Sequence, residues 1–561
     1  MKTDINSLVS LITDFKNMYG DTELVRDLDT DTALTGTELY TQIIQCAVAL
    51  KHIGLNRGDR VVIMSNSSSF WIVSDLAIAL CGAVSVPLFV DISSENLRHE
   101  VIDSKARFAL TATDILAGYF NFIDCKIEKI IVNKKIYDDP TLIYFNDFLL
   151  LGRTKLLKGF YSISDMFKEL QMDDLYTIAY TSGSTSKPKG VEITHANMFN
   201  QIEAASIHFK LKSNKDKALS FLPMAHIFER MVILFYLKHG IQINFVDDIS
   251  KITHYLKQIE PTAISMVPRV LEKIYSKIRT NVEHSYFIKK FIATVALDDA
   301  LETNAHTFSK KKHTLFDMLV YKKIRKKFGS NIRYIIVGGA PLDYKLHNFF
   351  LNIGLPLYQG YGMTECSPVI SVNYPGQNRV GTSGRALDGV DVKIADDGEI
   401  LVKSISMMRG YHNLKEETEN AFDREGWFYT GDIGDIDEDG FINVKSRKKE
   451  LLKTSTGEYI RSVYVEQELN RHQDIEQSLV IAEGKKFVSA LLFIDSTANR
   501  KNIQKYIEEI NLKLNGHEQI KKYQIINELP TIEKGLLTPS HKLRRIEVME
   551  QFKDKIDAMY G

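Results

Sequence analysis

An α/β fold in several units is what the sequence predicts, on three observations. Short apolar runs that read as strands alternate with segments of helical period through most of the chain, the pattern of a largely parallel sheet covered by helices. Past Gly389 this gives way to short strands joined by Asp397-Gly398 and Asp439-Gly440, the signals of tight hairpins. At 561 residues the chain is too long for one core, and roughly 150 residues per domain gives three or four units. We read a large N-terminal domain, 1–446, of stacked α/β subdomains with a β subdomain from about 385, and a small α+β C-terminal domain, 447–561.

The first residues mix acids with apolar residues and offer no unbroken apolar core, so no signal peptide is expected. Helical spacing over Tyr40 to Ile53 stops at Gly54. A strand Val61 to Met64, a helix from about Ser69 to Cys81 and a strand Val84 to Leu88 then make a β-α-β run. Residues 71–90 are apolar enough to raise a membrane span, but Asp75 and Pro87 interrupt them, which favours a buried element. Phe108 to Thr111 and Ile130 to Val132 read as further strands.

Residues 176–197, YTIAYTSGSTSKPKGVEITHAN, are the most informative stretch. Tyr176, Ile178 and Tyr180 alternate as in a half-buried strand, and Thr181, Ser182, Gly183, Ser184 and Thr185 then supply hydroxyls and backbone N–H groups in succession. That composition suits a polyphosphate. Lys187 and Lys189 bracket Pro188, and Gly190 lets the chain return into a second extended piece, Val191 to Ile193. A flexible Gly/Ser linker is the alternative, and the β-patterned flanks and the lysines argue against it. A Walker loop requires a glycine-to-lysine spacing that is missing here.

Ala218 to Leu222 reads as a strand leading into LPMAHIFER, 222–230, with His226 just past the strand end, where open sheets place ligands. A structural histidine is the other reading. Gln242 to Val246, Ile252 to Ile259 and Ala263 to Val267 form the next β-α-β unit. Residues 285–330 are helix-rich and become basic over 310–327, where Phe316, Val320, Ile324 and Phe328 fall four apart. A solvated basic face is set there against weak peripheral contact with anionic lipid. Strands Tyr334 to Val337 and Leu355 to Gln359 lead into GGAPL, 338–342, and GYGMTE, 360–365, glycine turns that let backbone approach a ligand. The tail alternates helix and strand: Val463 to Asn470, Ser478 to Ala482, Val488 to Phe493, and a helix from Asn502 to Leu514.

Equal numbers of basic and acidic residues, 71 each, leave no global field for nucleic acid, so no nucleic-acid partner is expected. Cys46, Cys81, Cys125 and Cys366 are scattered without metal spacing, which fits neither a zinc site nor a disulfide framework and suits a reducing cytoplasm.

The 176–197 string resembles the signature of the adenylate-forming (AMP-binding) superfamily, from which it departs at Ser184 and Ser186. LPMAHIFER is similar to a stretch of bacterial long-chain fatty acid–CoA ligases, and GWFYTGD (426–432), SRKKELLKTSTGEYI (446–460) and GLLTPSHKLRR (535–545) extend the resemblance to residue 545, with His541 where glycine is common. The resemblance implies ATP, Mg2+ and CoA as cofactor and co-substrates, and a fatty acid as substrate. It places Thr181, Ser182, Gly183, Ser184, Thr185 and Lys189 on the phosphates, and Gly339 and Ala340 beside nucleotide and acyl group. Tyr361 and Gly362 fall at adenine, Thr364 at the α-phosphate, Glu365 on magnesium, and Asp432 and Arg447 at the ribose. Lys449 becomes the hinge of a mobile C-terminal domain, Gly457 borders the CoA tunnel, and Lys542 and His226 are catalytic candidates. An acyl-AMP ligase serving a carrier protein and a non-enzymatic lipid-binding homologue are the rival readings. The expected location is cytoplasmic, with the 310–327 segment peripheral to the inner membrane face.

Overall fold

The computed structural model describes residues 8–123, 127–137, 139, 142–181, 187–302, 314–448, 451–472, 474–495, 498–537 and 543–561. Ser182, Gly183, Ser184, Thr185, Lys310, Lys311, Lys312, Lys449 and Lys542 lie outside the described residues, as does Cys125.

Among the described residues an eight-stranded sheet carries the phosphate-loop stretch. From one edge its order is Gly410–Tyr411, Lys189–Thr194, Leu175–Thr181, Val84–Leu88, Arg60–Met64, Phe108–Thr113, Lys129–Lys134 and Ile143–Tyr144. The four strands in the middle of this sheet, from Leu175–Thr181 to Phe108–Thr113, run parallel, and Val61, Val62, Ile63 and Met64 are wholly buried, as strands covered on both faces must be. The same cover corrects the half-buried reading of Leu175–Thr181. Tyr176, Thr177, Ile178 and Ala179 are all buried, so alternation there reflects no solvent face. The apolar 71–90 segment resolves into the buried helix Ser69–Leu80 and the strand Val84–Leu88. No described helix is long and apolar enough to cross a membrane.

The second sheet has nine strands, in the order Arg385–Ala386, Val369–Val372, Leu357–Gly362, Tyr334–Val337, Ala263–Met266, Lys217–Ser220, Gln242–Phe245, Glu23–Asp27 and Thr32–Thr35. The strand read as Leu355 to Gln359 begins two residues later and runs three residues further on, through Gly360, Tyr361 and Gly362, which pair with Val369–Val372. GYG is therefore strand, not turn. A Cβ at Gly362 would lie 2.0 Å from the Pro368 carbonyl oxygen, so this glycine serves chain packing. Gly339 does hold a left-handed backbone, φ +82, where a Cβ would meet the Val267 side chain at an ordinary 3.8 Å, so conformation and not crowding calls for glycine.

Val390–Ile394, Glu399–Ser404, Phe428–Ile436 and Ile442–Arg447 form a four-stranded antiparallel sheet whose hairpins turn at Gly398 and Gly440, both at positive φ. Between its second and third strands the chain departs to place Gly410–Tyr411 on the edge of the first sheet, pairing Gly410 with Glu192 and Tyr411 with Val191. The C-terminal segment has its own core around Val465, Leu469, Val480 and Ile503. Its helix is Arg500–Asn511, two residues earlier than the spacing predicts, because the Asn499 side chain caps it by accepting from the Lys501 N–H. Arg471 pairs with Asp343, and Arg269 donates to the Glu476 carbonyl at 3.3 Å, so this segment rests on the second sheet's loops. Cys46, Cys81 and Cys366 are free and buried.

Candidate functional site

The strands on either side of the phosphate-loop stretch, Leu175–Thr181 and Lys189–Thr194, are antiparallel partners. Thr181 pairs with Lys189 and Tyr180 with Gly190, so the two strands stay paired up to the ends that flank it. Gly190 lies in the strand, where a Cβ would come 2.7 Å from the Ile178 side chain; its role is close packing of the two strands, not the return of the chain. Neighbours hold the described flanks. His99 Nε2 sits 2.8 Å from the Pro188 carbonyl oxygen, the Tyr180 hydroxyl donates to Asp103 at 2.7 Å, and Asn413 donates to the same carboxylate at 3.1 Å.

Glu365 lies in the single turn Thr364–Cys366 that follows Leu357–Gly362, buried, with Thr364 half-buried beside it. Burial pushes its carboxyl above the usual range, and the charges of Arg447 and Lys189 oppose that rise. Tyr411 donates its hydroxyl to Glu365 Oε1 at 2.9 Å, and the Lys189 ammonium lies 4.9 Å from the centre of the Tyr411 ring while pairing with Glu417. One tyrosine thus links the loop lysine to the buried carboxylate. Among the described residues no three or more His, Cys, Asp or Glu side chains cluster as metal ligands. A hard cation at Glu365 would take one carboxylate and complete its shell with phosphate oxygens and water, as Mg2+ does. A buried, desolvated carboxylate fits that use, because a divalent charge offsets its burial.

Tyr361, Asp432 and Arg447 meet, as the motif residues imply. The Tyr361 hydroxyl donates to Asp432 Oδ2 at 2.7 Å and Arg447 Nε lies 3.2 Å from Oδ1, the two residues also facing each other across a strand pair. Burial raises the Asp432 carboxyl, and Arg447 and Tyr361 counter it. Gly362 is exposed beside this group. His226 is exposed and caps helix Ile227–Lys238, its Nδ1 accepting from the Phe228 N–H at 3.3 Å. Phe228 packs toward Gly338, which joins the His226 stretch to the turn of Gly339 and Ala340. Gly457 stands apart, in the turn between Leu451–Lys453 and Tyr459–Arg461 at φ +92.

Sequence reasoning passed over the residues that hold the site. Tyr411 comes from a two-residue strand too short to show any period, His412, which pairs with Glu192 at 2.7 Å, follows it, and Glu417 lies on the short helix Lys415–Asn420. Arg230, the last residue of LPMAHIFER, is wholly buried and bidentate on Asp75. It also donates to Thr177 at 2.8 Å and Ser85 at 2.7 Å, and its guanidinium lies 4.2 Å from the centre of the Tyr176 ring. An arginine in an apolar string was the available signal, because such a charge is buried only with a partner.

The Tyr411 link carries a prediction. Tyr411→Phe keeps the ring under Lys189 and removes the bond to Glu365, so we expect about 1 kcal/mol weaker retention of Mg2+ with nucleotide, roughly fivefold. Magnesium titration of nucleotide turnover reads this directly. An unchanged magnesium requirement would show that the Tyr411 hydroxyl does not orient Glu365.

Among the described residues, then, Lys189 at the end of the loop stretch, the buried Glu365 tied to Tyr411, and the Tyr361–Asp432–Arg447 group are the polar features of the site. Residues 13–412 match the AMP-binding enzyme family and residues 449–561 match the AMP-binding enzyme C-terminal domain; the chain belongs to this family. It is 31% identical to the long-chain-fatty-acid–CoA ligase FadD15 of Mycobacterium tuberculosis, over 94% of this chain and 92% of that protein. It is 29% identical to fatty acyl-CoA synthetase A of Dictyostelium discoideum, over 91% and 83%. Among solved structures, the O-succinylbenzoate coenzyme A synthetase of Bacillus subtilis in complex with ATP and magnesium superposes with TM-score 0.70 at 22% identity, over 96% and 98% of the two chains. The anthranilate CoA ligase AuaEII in complex with anthranoyl-AMP gives 0.76 at 17%, over 99% of each. These two show the shared fold.

Proposed function

We propose that the protein joins a long-chain fatty acid to coenzyme A at the expense of ATP, through an acyl-adenylate, releasing AMP and pyrophosphate. The observation that carries this is the convergence of Lys189, Tyr411 and Glu365 at the mouth of the loop, one lysine and one buried carboxylate where a polyphosphate with its magnesium would lie. The long-chain acid and the CoA acceptor are supported by the relatives, whose names state that chemistry.

A carboxylate is a poor acyl donor to a thiol because its leaving group would be oxide. In the first step a carboxylate oxygen of the acid bonds to the α-phosphorus as the bond to the β-phosphate oxygen breaks, and pyrophosphate leaves. Positioning and charge supply the catalysis. Thr181, Ser182, Gly183, Ser184, Thr185 and Lys189 bind the phosphates, Glu365 holds Mg2+, Thr364 contacts the α-phosphate, and Lys542 stabilises the developing charge. Tyr361 and Gly362 flank adenine, and Asp432, oriented by Arg447, accepts the ribose hydroxyls. Gly339, Ala340 and His226 border the acyl side, where Phe228 already packs toward Gly338.

In the second step the thiol sulfur of CoA, having lost its proton, bonds to the acyl carbon, and AMP leaves. We assign 1–446 and 447–561 as two bodies hinged at Lys449, with Gly457 beside the CoA path. Lys448, next to the hinge, is bonded to Asp397 at 2.6 Å and Glu399 at 2.8 Å in the β subdomain, so residues 447 and 448 stay with the sheet, which supports a hinge at the following residue and moves the boundary two residues past 446.

Acid-dependent ATP–pyrophosphate exchange, followed by addition of CoA, tests the reading. Each methylene buried is worth about 0.8 kcal/mol, so specificity should rise roughly fourfold per carbon until the pocket ends, with an optimum beyond about ten carbons. Best turnover of acetate or an amino acid would overturn the fatty-acid reading. Exchange without acyl-CoA formation would point to a carrier protein as acceptor.

A further inference from the structure

Helix Phe287–Glu302 turns Ala296, Leu297 and Ala300 into the core, and Tyr321 donates to the Ala296 carbonyl at 2.8 Å, tying that side to the π-helical turn Asp317–Tyr321. At about 100° per residue, Phe287, Ile288, Phe291 and Val295 fall in one sector on the opposite side. That sector faces water. Tyr286 is 87% exposed, Phe287 86%, Ile288 72% and Phe291 67%. Four large apolar side chains this bare within six residues exceed the scattered apolar exposure of an ordinary surface. In residues 315–324, Leu315 and Met318 are exposed as well, while Phe316, Val320 and Ile324 are buried.

Charge identifies the partner. Lys289 and Lys290 stand exposed on the same turns of the helix but on the side away from Phe287 and Phe291, as the polar face of an amphipathic helix, and Lys322, Lys323, Lys326 and Lys327 are exposed on the helix that follows Tyr321 and its end. The nearby acids are mostly engaged: Asp298 by Arg279 at 2.5 Å, Glu302 by Lys345 at 2.5 Å, and Asp317 by Arg325. Asp299 is the other acid on helix Phe287–Glu302, and the preceding helix, Pro268–Glu283, carries Glu283 and Glu272, the latter paired with Arg269. An apolar stripe backed by lysines on the polar side of the same helix complements an anionic bilayer, because the rings enter the boundary of the acyl chains while the long lysine side chains reach headgroup phosphates.

We propose that Tyr286, Phe287, Ile288 and Phe291, with exposed lysines on the polar side of the same helix and on the helix that follows Tyr321, form a docking face for a bilayer carrying anionic headgroups. The choice of a bilayer as occupant rests on the fatty-acid reading, since long acids partition into membranes. The face differs from the basic 310–327 segment alone: its apolar contact comes from the start of helix Phe287–Glu302, and Arg325 is committed to Asp317.

The test is co-sedimentation of the full chain, without substrates, with vesicles of phosphatidylcholine alone and with an equal part of phosphatidylglycerol. Binding is expected to the mixed vesicles and to fall as salt is added. Phe287→Ser with Phe291→Ser should lower that binding by about tenfold or more, since two rings leave the interface. Both positions are exposed, so thermal unfolding and pyrophosphate exchange with a water-soluble acid should match the parent. Lys322→Glu with Lys323→Glu should also weaken binding, keeping the test independent of the aromatic variant. Failure of the parent to bind mixed vesicles, or full binding by the double-serine variant, would overturn the proposal. So would self-association seen by sedimentation velocity that the serine variant abolishes while vesicles remain unbound, which would make this a face between copies. Binding is read without turnover, so its failure and failure of the ligase reading are seen separately.

Discussion

Replacing Lys542 with alanine is expected to slow formation of the acyl-adenylate by roughly a hundredfold to a thousandfold, a loss of about 3–4 kcal/mol of transition-state stabilisation. The argument is differential. A cation that meets charge developing on the α-phosphate lowers the first barrier and does nothing for attack of a thiol on an adenylate already made. The overall rate from fatty acid and ATP should therefore collapse, while supplied acyl-adenylate and CoA should still give thioester at close to the parental rate. Equal losses in both measurements would assign Lys542 to structure or to CoA.

Asp75→Ala should be the most damaging single change to stability, at about 3–5 kcal/mol, because it strands a buried arginine. Arg230 is 0% exposed and its guanidinium lies between the rings of Trp71 and Tyr176. Asp75 also accepts from the Tyr176 hydroxyl on the strand that carries the phosphate loop, so the loop loses its anchor together with the fold's charge balance. Urea unfolding followed by the fluorescence of Trp71, one of two tryptophans, measures the loss. Asp75→Leu combined with Arg230→Met should recover much of it, since apolar side chains of similar size carry no desolvation cost. If Asp75→Ala unfolds with the parental midpoint, the pair contributes nothing and the loop strand is held by its neighbours alone.

Local signals carried much of the fold. Val84–Leu88, Ile252–Ile259 and Tyr334–Val337 match the strand and helix bounds expected from apolar runs and their flanking glycine or proline. The Asp-Gly pairs at 397 and 439 turn hairpins because glycine alone takes their positive φ cheaply. Phe316, Val320, Ile324 and Phe328 are all buried, as their spacing requires. Where the chain only paired differently, as in the continuation of Leu357–Gly362 through GYG, local composition pointed to a turn and an antiparallel neighbour overruled it.

The sequence by itself determined the residue types of the candidate site, because a phosphate loop and a carboxylate in a turn are written in consecutive residues. Only the tertiary structure decided what holds them. Tyr411 reaches Glu365 from 46 positions away, His412 reaches Glu192 from 220, and Arg230 reaches Asp75 from 155. No local period or spacing encodes such contacts. They arise because a strand of the β subdomain crosses to the edge of the first sheet and a helix packs beneath its centre, and register across sheets is set by packing of the whole chain.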